Sequence, residues 1–430
     1  MPYTSEVFGV STHMNDYSYV DRDQLDNKLR RLLRRDTHIA IKGPSKSGKS
    51  WLRQKCIDNT VTVQCRLHMT VLEIYKQALT SLGIPFDISS SCTSAFEGTL
   101  SGGGSVGIQA LAKASGNASL SYSYESIVEN GRDFSKSIDN LQFIANAINE
   151  SGKRLTIEDF HYLDLNVRQE LAHDLKTLWD YGCFVIVIGV WTQANLLTSM
   201  NHDLSGRIEE ISVTWTDKEL QEVIDRGCKA LHIRIDSQIC KDLISDSFGN
   251  VGILQSLLLK LVEDEADVEK TQSFEQFICD NELYIQAAKG YANQLDGLYQ
   301  QFASKLSAGI RRRKKSTGIY AIAMQAIVEA KDKDLISGFS RNDIYQLAHE
   351  KESRISKGNL KTVLIKLAEL QQDANENGLV VLYDESIDSV CVVDRQLLFY
   401  RKHHTMKWPW EEIVEEARQL SLFNDPITEE

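Results

Sequence analysis

Proline is scarce, five residues in 430, which argues against a proline-rich linker architecture or long disorder. The eight cysteines (Cys56, Cys65, Cys92, Cys183, Cys228, Cys240, Cys279 and Cys391) form no CxxC pair. That scatter excludes a disulfide framework and a structural zinc site, and Cys183 and Cys240, set in apolar stretches, read as small buried hydrophobes. The N-terminus lacks a charged-then-apolar signal segment, and the most apolar run, Phe184 to Val190, falls far short of the roughly 20 residues a membrane span needs. Excess positive charge is missing too: 48 Lys and Arg against 60 Asp and Glu give a net charge of −12. The balance argues against a chain coated in nucleic acid or lying on an anionic membrane, while leaving room for a local basic patch. These absences predict a cytoplasmic protein in a reducing compartment with no membrane partner. A hydrophobic content of 42% and a charged content of 25% are those of a globular protein with real cores.

The first half alternates β and helical patterns. Residues 38–41, 61–65, 154–157, 183–190 and 208–213 read as strands, with helices from Lys49, over 70–82, 141–150 and 167–179. Such alternation predicts a parallel sheet covered by helices. From Thr216 to about Leu306 only helical patterns occur, opened by the cap and acidic turn Thr216-Asp217-Lys218-Glu219. Beyond the basic run Arg311 to Lys315, three helices (319–330, 341–350, 358–370) and two β runs (379–383, 390–393) follow in the order of a winged helix-turn-helix. The expected domains are therefore a core over 15–215, a helical lid over 216–310, a winged helix over 316–410 and a tail over 411–430. Residues 89–130 fit neither pattern. Alternation at Val106, Ile108, Ala110 and Ala112, then at Leu120, Tyr122 and Tyr124, suggests an inserted β-hairpin, with a disordered Gly/Ser loop as the alternative.

The strongest chemical signal is Gly43-Pro44-Ser45-Lys46-Ser47-Gly48-Lys49-Ser50, a GxxxxGK[ST] loop directly after a strand and opening a helix. Glycines let such a loop wrap phosphates, so that backbone N–H groups and a helix N-terminus face the negative charge. Lys49 is expected to reach the β- and γ-phosphates of ATP and Ser50 to ligate Mg2+. A second acidic site follows at the end of a later strand, Arg154-Leu155-Thr156-Ile157-Glu158-Asp159. Glu158 is the candidate for the Mg2+ shell and Asp159 for polarising the attacking water.

The stretch Ile157-Glu158-Asp159-Phe160-His161-Tyr162-Leu163 resembles the second acidic motif (Walker B) of AAA+ ATPases and their STAND relatives. Tyr19-Val20-Asp21-Arg22 is similar to a segment that precedes the phosphate loop in initiator-type and STAND ATPases. The resemblance covers most of the chain apart from the insert. It departs at Glu158, where Asp is usual. It implies a P-loop parallel-sheet ATPase core (class α/β) with a helical lid and a C-terminal winged-helix domain. It also implies a γ-phosphate sensor after the buried strand, at Thr192 with Gln193 next, and an arginine, Arg207, that reaches the nucleotide of a neighbouring subunit. The lid stretch Gly249 to Gln255 carries no arginine where the family often has one, which leans toward a slow ATPase.

Other candidates carry less. His403-His404 has no cysteine or carboxylate at ligand spacing and reads as part of a solvated basic stretch. Arg30, Arg31, Arg34 and Arg35 read as a solvated helix face. Arg311 to Lys315 could meet DNA phosphates, yet the third helix offers Lys357, Lys361 and Lys366 without a base-reading set. The expected function is an ATP-driven oligomeric switch working with a separate effector or nucleic-acid partner, in prokaryotic phage defence or a mobile element by resemblance. The alternatives are an initiator or loader whose DNA binding ATP regulates, and a scaffold that binds nucleotide without hydrolysing it.

Overall fold

The structure, a computed structural model, describes residues 1–84, 140–191, 193–308, 318–371, 379–385, 387–412 and 414–415. The expected hairpin insert, the basic run Arg311 to Lys315, and Thr192 lie outside the described residues. The chain forms two compact units, one of residues 23–43 and 49–213, the other of residues 1–22, 44–48 and 214–430.

The first unit holds helices α1 (Leu25–Leu32), α2 (Lys49–Cys56), α3 (Val71–Ser81), α4 (Leu141–Glu150) and α5 (Leu165–Asp180) around five strands. These are β1 (His38–Lys42), β2 (Thr60–Gln64), β3 (Arg154–Glu158), β4 (Val185–Gly189) and β5 (Ile208–Ser212), paired in the order β2-β3-β4-β1-β5 and all parallel. Period-two alternation splits the apolar side chains between the two faces. Val185 and Val187 of β4 join Val61, Val63, Leu155 and Ile157 against α3, α4 and α5. Ile186 and Ile188 join Ile39, Ile41, Ile211 and Val213 against Leu29 of α1 and Leu52 of α2. A strand buried on both faces has to be apolar throughout, which is why β4 reads Val-Ile-Val-Ile-Gly.

At the start of β1, His38 is wholly buried. Its Nε2 lies 2.8 Å from the Leu175 carbonyl of α5, and its Nδ1 accepts the Val185 N–H of β4 at 2.9 Å. The ring is thus fixed as the neutral Nε2–H tautomer, and burial pushes its pKa down to about 4.

The second unit begins its C-terminal part with α6 (Asp217–Leu231), whose capping box is closed by Thr216 and Glu219. Then come β6 (Ile233–Ile235), α7 (Ser237–Asp246), α8 (Val251–Leu259), β7 (Gln276–Ile278) and the 28-residue α9 (Asn281–Ala308). β6 and β7 pair in parallel, which corrects the all-helical expectation for this stretch. Three-residue strands carry too little alternation to stand out beside long helices.

Next come α10 (Ile319–Glu329), α11 (Asp332–Ser337), β8 (Phe339–Ser340), α12 (Arg341–Lys351), α13 (Lys357–Gln371), β9 (Val381–Asp384), β10 (Ser389–Val392) and α14 (Gln396–His403). The strands pair antiparallel in the order β8-β10-β9, so that α10, α12 and α13 with three strands make a winged helix, to which the short α11 before β8 and the following α14 are added. One continuous apolar cluster runs through the lid helices and the winged helix, from Leu254 and Leu257 through Tyr299 and Leu364 to Phe399 and Trp410.

The stretch Arg401 to His404 is not a solvated basic face. Lys402 and His403 both bond to the carboxylate of Asp246, which is 1% exposed, with His403 Nε2 at 2.6 Å from Oδ2. Tyr284 donates to the same carboxylate. Arg401 donates to the Val328 and Ala330 carbonyls at 2.7 Å each, and His404 stacks on Tyr400. Arg401, Lys402 and His403 therefore tie α14 to α7 and to the end of α10, while His404 packs back on α14 itself.

Candidate functional site

In a parallel sheet the C-terminal strand ends are where ligands bind, and the order here reverses beside β1, which lies between β4 and β5. Lys42 ends β1, Glu158 ends β3, and in the register Gln64 of β2 sits opposite Glu158. The chemistry-bearing residues of the core unit collect at this end.

Lys49 opens α2. It is 9% exposed, and its Nζ donates to the Gly43 carbonyl at 3.1 Å. Burial pushes its pKa down to about 8, against the opposing pull of the Asp159 and Glu158 carboxylates. Ser50 is exposed in the first turn of the same helix. Glu158 is 6% exposed, and Asp159 follows it with a φ of 57°. That left-handed conformation is tolerated by aspartate better than by most residues and turns the chain sharply off the strand. Burial raises the Asp159 pKa, the Glu158 charge raises it further, and Lys49 with a hydrogen bond to Gln64 pulls it back. His161 accepts the Val190 N–H at 3.3 Å, linking the turn after β3 to the end of β4. Burial and then the Lys49 charge push its pKa down to about 3, so it is neutral at physiological pH.

The loop after β4 is pinned by β1 and β5. Lys42 pairs with Glu210 at 2.9 Å and donates to the Gln193 carbonyl at 3.1 Å, while Glu210 accepts from Trp191 Nε1 and the Asn195 N–H. The Gln193 side chain donates to Ser199. Arg207 precedes β5 at the N-terminal end of the sheet, beside His38 of β1 and away from the Lys49 end. It lies over the Trp179 ring at 4.9 Å and bonds to the Asp203 carbonyl.

Within the second unit, the loop residues 44–48 are gripped by their carbonyls. Asn250 Nδ2 donates to Ser45 O at 2.7 Å, Gly252 N to Lys46 O at 3.1 Å, and Trp215 Nε1 and Arg22 both to Ser47 O, at 2.9 and 3.0 Å. Lys46 Nζ bonds to Gln396 at the start of α14. With its carbonyls turned to these donors and positive φ at Lys46 and Gly48, the loop has the backbone of an anion cradle. Ser47 Oγ is buried with no hydrogen-bond partner, as suits a loop built to receive a polar group. A buried ammonium facing two carboxylates, with a helix N-terminus beside it, fits a nucleotide phosphate with Mg2+.

Two residues of this neighbourhood are not evident from the sequence. Gln64 is one polar strand end among several. Arg53 lies four residues after Lys49 on α2, and its Nε donates to Glu158 Oε1 at 2.7 Å. Helical spacing puts Arg53 on the Lys49 face, but only the fold shows that β3 delivers a carboxylate there.

No protein-family model matches the chain, and no curated protein sequence matches it. Among solved structures, it is similar over 92% of its length to 99% of a Walker-type ATPase of Pyrococcus abyssi, at 14% identity and a TM-score of 0.50. It is also similar to the Aeropyrum pernix Orc1 protein, solved in complex with DNA, at 10% identity and a TM-score of 0.44, over 98% of each chain. A third likeness, at 13% identity and a TM-score of 0.36, is to a STAND protein with a tetratricopeptide repeat sensor from Pyrococcus horikoshii, where it spans 95% of this chain and 46% of that one. The fold of this chain is that of a P-loop ATPase: a parallel-sheet α/β core with a helical lid and a C-terminal winged helix.

Proposed function

We propose that this chain is a slow ATP-binding and ATP-hydrolysing switch that acts as an oligomer with a separate effector. The carrying observation is the convergence of Lys49, Glu158 and Asp159 at the C-terminal ends of β1 and β3, close enough that the Glu158 charge acts on both Lys49 and Asp159 and these two act on each other. Gly43 to Ser50 would cradle the phosphates, and Ser50 and Glu158 would hold Mg2+. The bound metal would screen the phosphate charge. Lys49 neutralises the phosphates in the ground state. Asp159 takes the proton of the attacking water, and burial and the Glu158 charge raise its pKa toward that task. Thr192 and Gln193 are proposed to sense the γ-phosphate. Arg207, at the far end of the sheet from its own loop, is proposed to serve a neighbouring subunit's nucleotide. A role in prokaryotic phage defence or a mobile element remains a proposal by resemblance.

The test separates binding from turnover. Lys49→Ala should abolish tight ATP binding, and Asp159→Ala should keep binding and stop hydrolysis. Equal ATP affinity in wild type and Lys49→Ala refutes the assignment.

Four described cations of the winged helix are paired with acids, whereas Lys357 and Lys366 of α13 are exposed and, among the described residues, in no ion pair. Arg341 pairs with Asp388 at 2.7 Å, Arg354 with Glu352 at 2.6 Å, Lys351 with Glu329 at 2.8 Å and Lys361 with Glu385 at 3.6 Å. The wing between β9 and β10 carries Asp384, Glu385 and Asp388 and no cation. Phosphate contacts need cations that no acid neutralises, so Lys357 and Lys366 are the described residues on which the DNA-loading alternative would rest.

A further inference from the structure

Glu158 departs from the aspartate that the resemblance leads one to expect, and Arg53 is what its extra methylene reaches. The carboxylate sits at the end of β3 and the guanidinium on α2, joined at 2.7 Å through Arg53 Nε and Glu158 Oε1, with the side chains 17% and 7% exposed. A carboxylate this enclosed needs a counterion, and a guanidinium stays charged at every working pH. The same carboxylate is the acid proposed for the Mg2+ shell. A divalent cation approaching it brings positive charge beside positive charge and contends for a carboxylate already in use.

We propose that Arg53 is a positioning residue that holds Glu158 in a metal-free setting and competes with Mg2+ for it, so that this ion pair sets the Mg2+ concentration at which metal–nucleotide binding takes hold. The inference rests on the ATP site proposed above. Among the described residues Arg53 bonds to Glu158 through Nε only, so one carboxylate oxygen stays outside that bond and the pair can be displaced stepwise. Lys49, one turn earlier on the same helix, donates to the Gly43 carbonyl. A merely architectural Arg53 would change stability, and would change nucleotide binding equally with and without metal.

The experiment measures binding of a fluorescent ATP analogue to the full chain, first in EDTA and then across a Mg2+ titration. In EDTA, Arg53→Gln should bind the nucleotide within about twofold of wild type. Its Mg2+ midpoint should fall about tenfold. In a Glu158→Gln background, adding Arg53→Gln should produce no further shift. Glu158→Asp serves as the second variant should Arg53→Gln fold poorly: it keeps the charge, withdraws the carboxylate from Arg53, and should also lower the midpoint. A midpoint unmoved or raised in the variants overturns the inference while leaving the ATP site standing. A wild type that binds no nucleotide in either condition overturns both.

Discussion

Acid should loosen the core unit in part through the imidazole of His38. His38 is 0% exposed, is held neutral between Leu175 O and Val185 N–H, and has its pKa pushed down to about 4 by burial. In the unfolded chain an imidazole titrates near 6.5, so between these two values the unfolded state binds the extra proton. The stability this group contributes is therefore whole above pH 6.5 and is lost as pH falls toward 4. Linkage gives a loss of about 2 kcal/mol between pH 7 and pH 5 and about 3 kcal/mol by pH 4. The perturbation is His38→Gln, which keeps a donor and an acceptor but cannot titrate. Because the chain has two units, the assay has to be local: hydrogen exchange of the β1 and β4 amides, corrected for intrinsic rates, at pH 7, 6 and 5. Wild-type protection should fall by about 2 kcal/mol more than that of the variant over this range. His161, also held neutral, titrates in both proteins and cancels in the comparison. Identical pH profiles in the two proteins, or a His38 ring signal titrating near 6.5, would refute the reasoning.

Gly252→Ala should impair the loop grip, since its Cβ would come 2.9 Å from the Lys46 carbonyl oxygen and 2.5 Å from Lys46 Cβ; a loss of about 1–3 kcal/mol and weaker ATP binding are expected by denaturant titration and nucleotide binding. Arg207→Ala should leave ATP affinity unchanged and abolish only the turnover that rises with protein concentration; a fall in monomer affinity would place this residue at its own subunit's nucleotide. Replacing residues 95–126 by a short Gly/Ser link should preserve nucleotide binding and abolish assembly or partner capture, read by light scattering beside an ATP titration. Assembly that survives the deletion would reduce the segment to a tolerated surface loop.

The parallel sheet was legible because its signals are local. The run ending at Gly189 has no polar residue to spare for solvent, and Gly43 to Ser50 fixes both a strand end and a helix start. The winged helix was legible from caps such as Ser340, whose hydroxyl accepts the Asp343 N–H. What stayed hidden depends on contacts distant in sequence. Asp246 and His403 lie 157 residues apart, and a basic stretch looks the same whether it faces water or a buried carboxylate. Arg53 and Glu158, 105 residues apart, became partners only once β3 lay beside α2. β6 and β7 were missed because three residues give period two too little length to compete with the surrounding helices.

The acids paired with Arg341, Lys351, Arg354 and Lys361 also bear on association kinetics. A positive wing draws a polyanion in from beyond a Debye length and loses that advantage as salt is added. Here the wing carries the half-buried Asp384 and the exposed Glu385, which pairs with Lys361, on a chain of net charge −12. The wing itself therefore offers a polyanion no such attraction, and among the described residues Lys357 and Lys366 of α13 are exposed cations that no acid pairs. Added salt would then change the encounter with a polyanion little at the wing and slow it where those lysines lead.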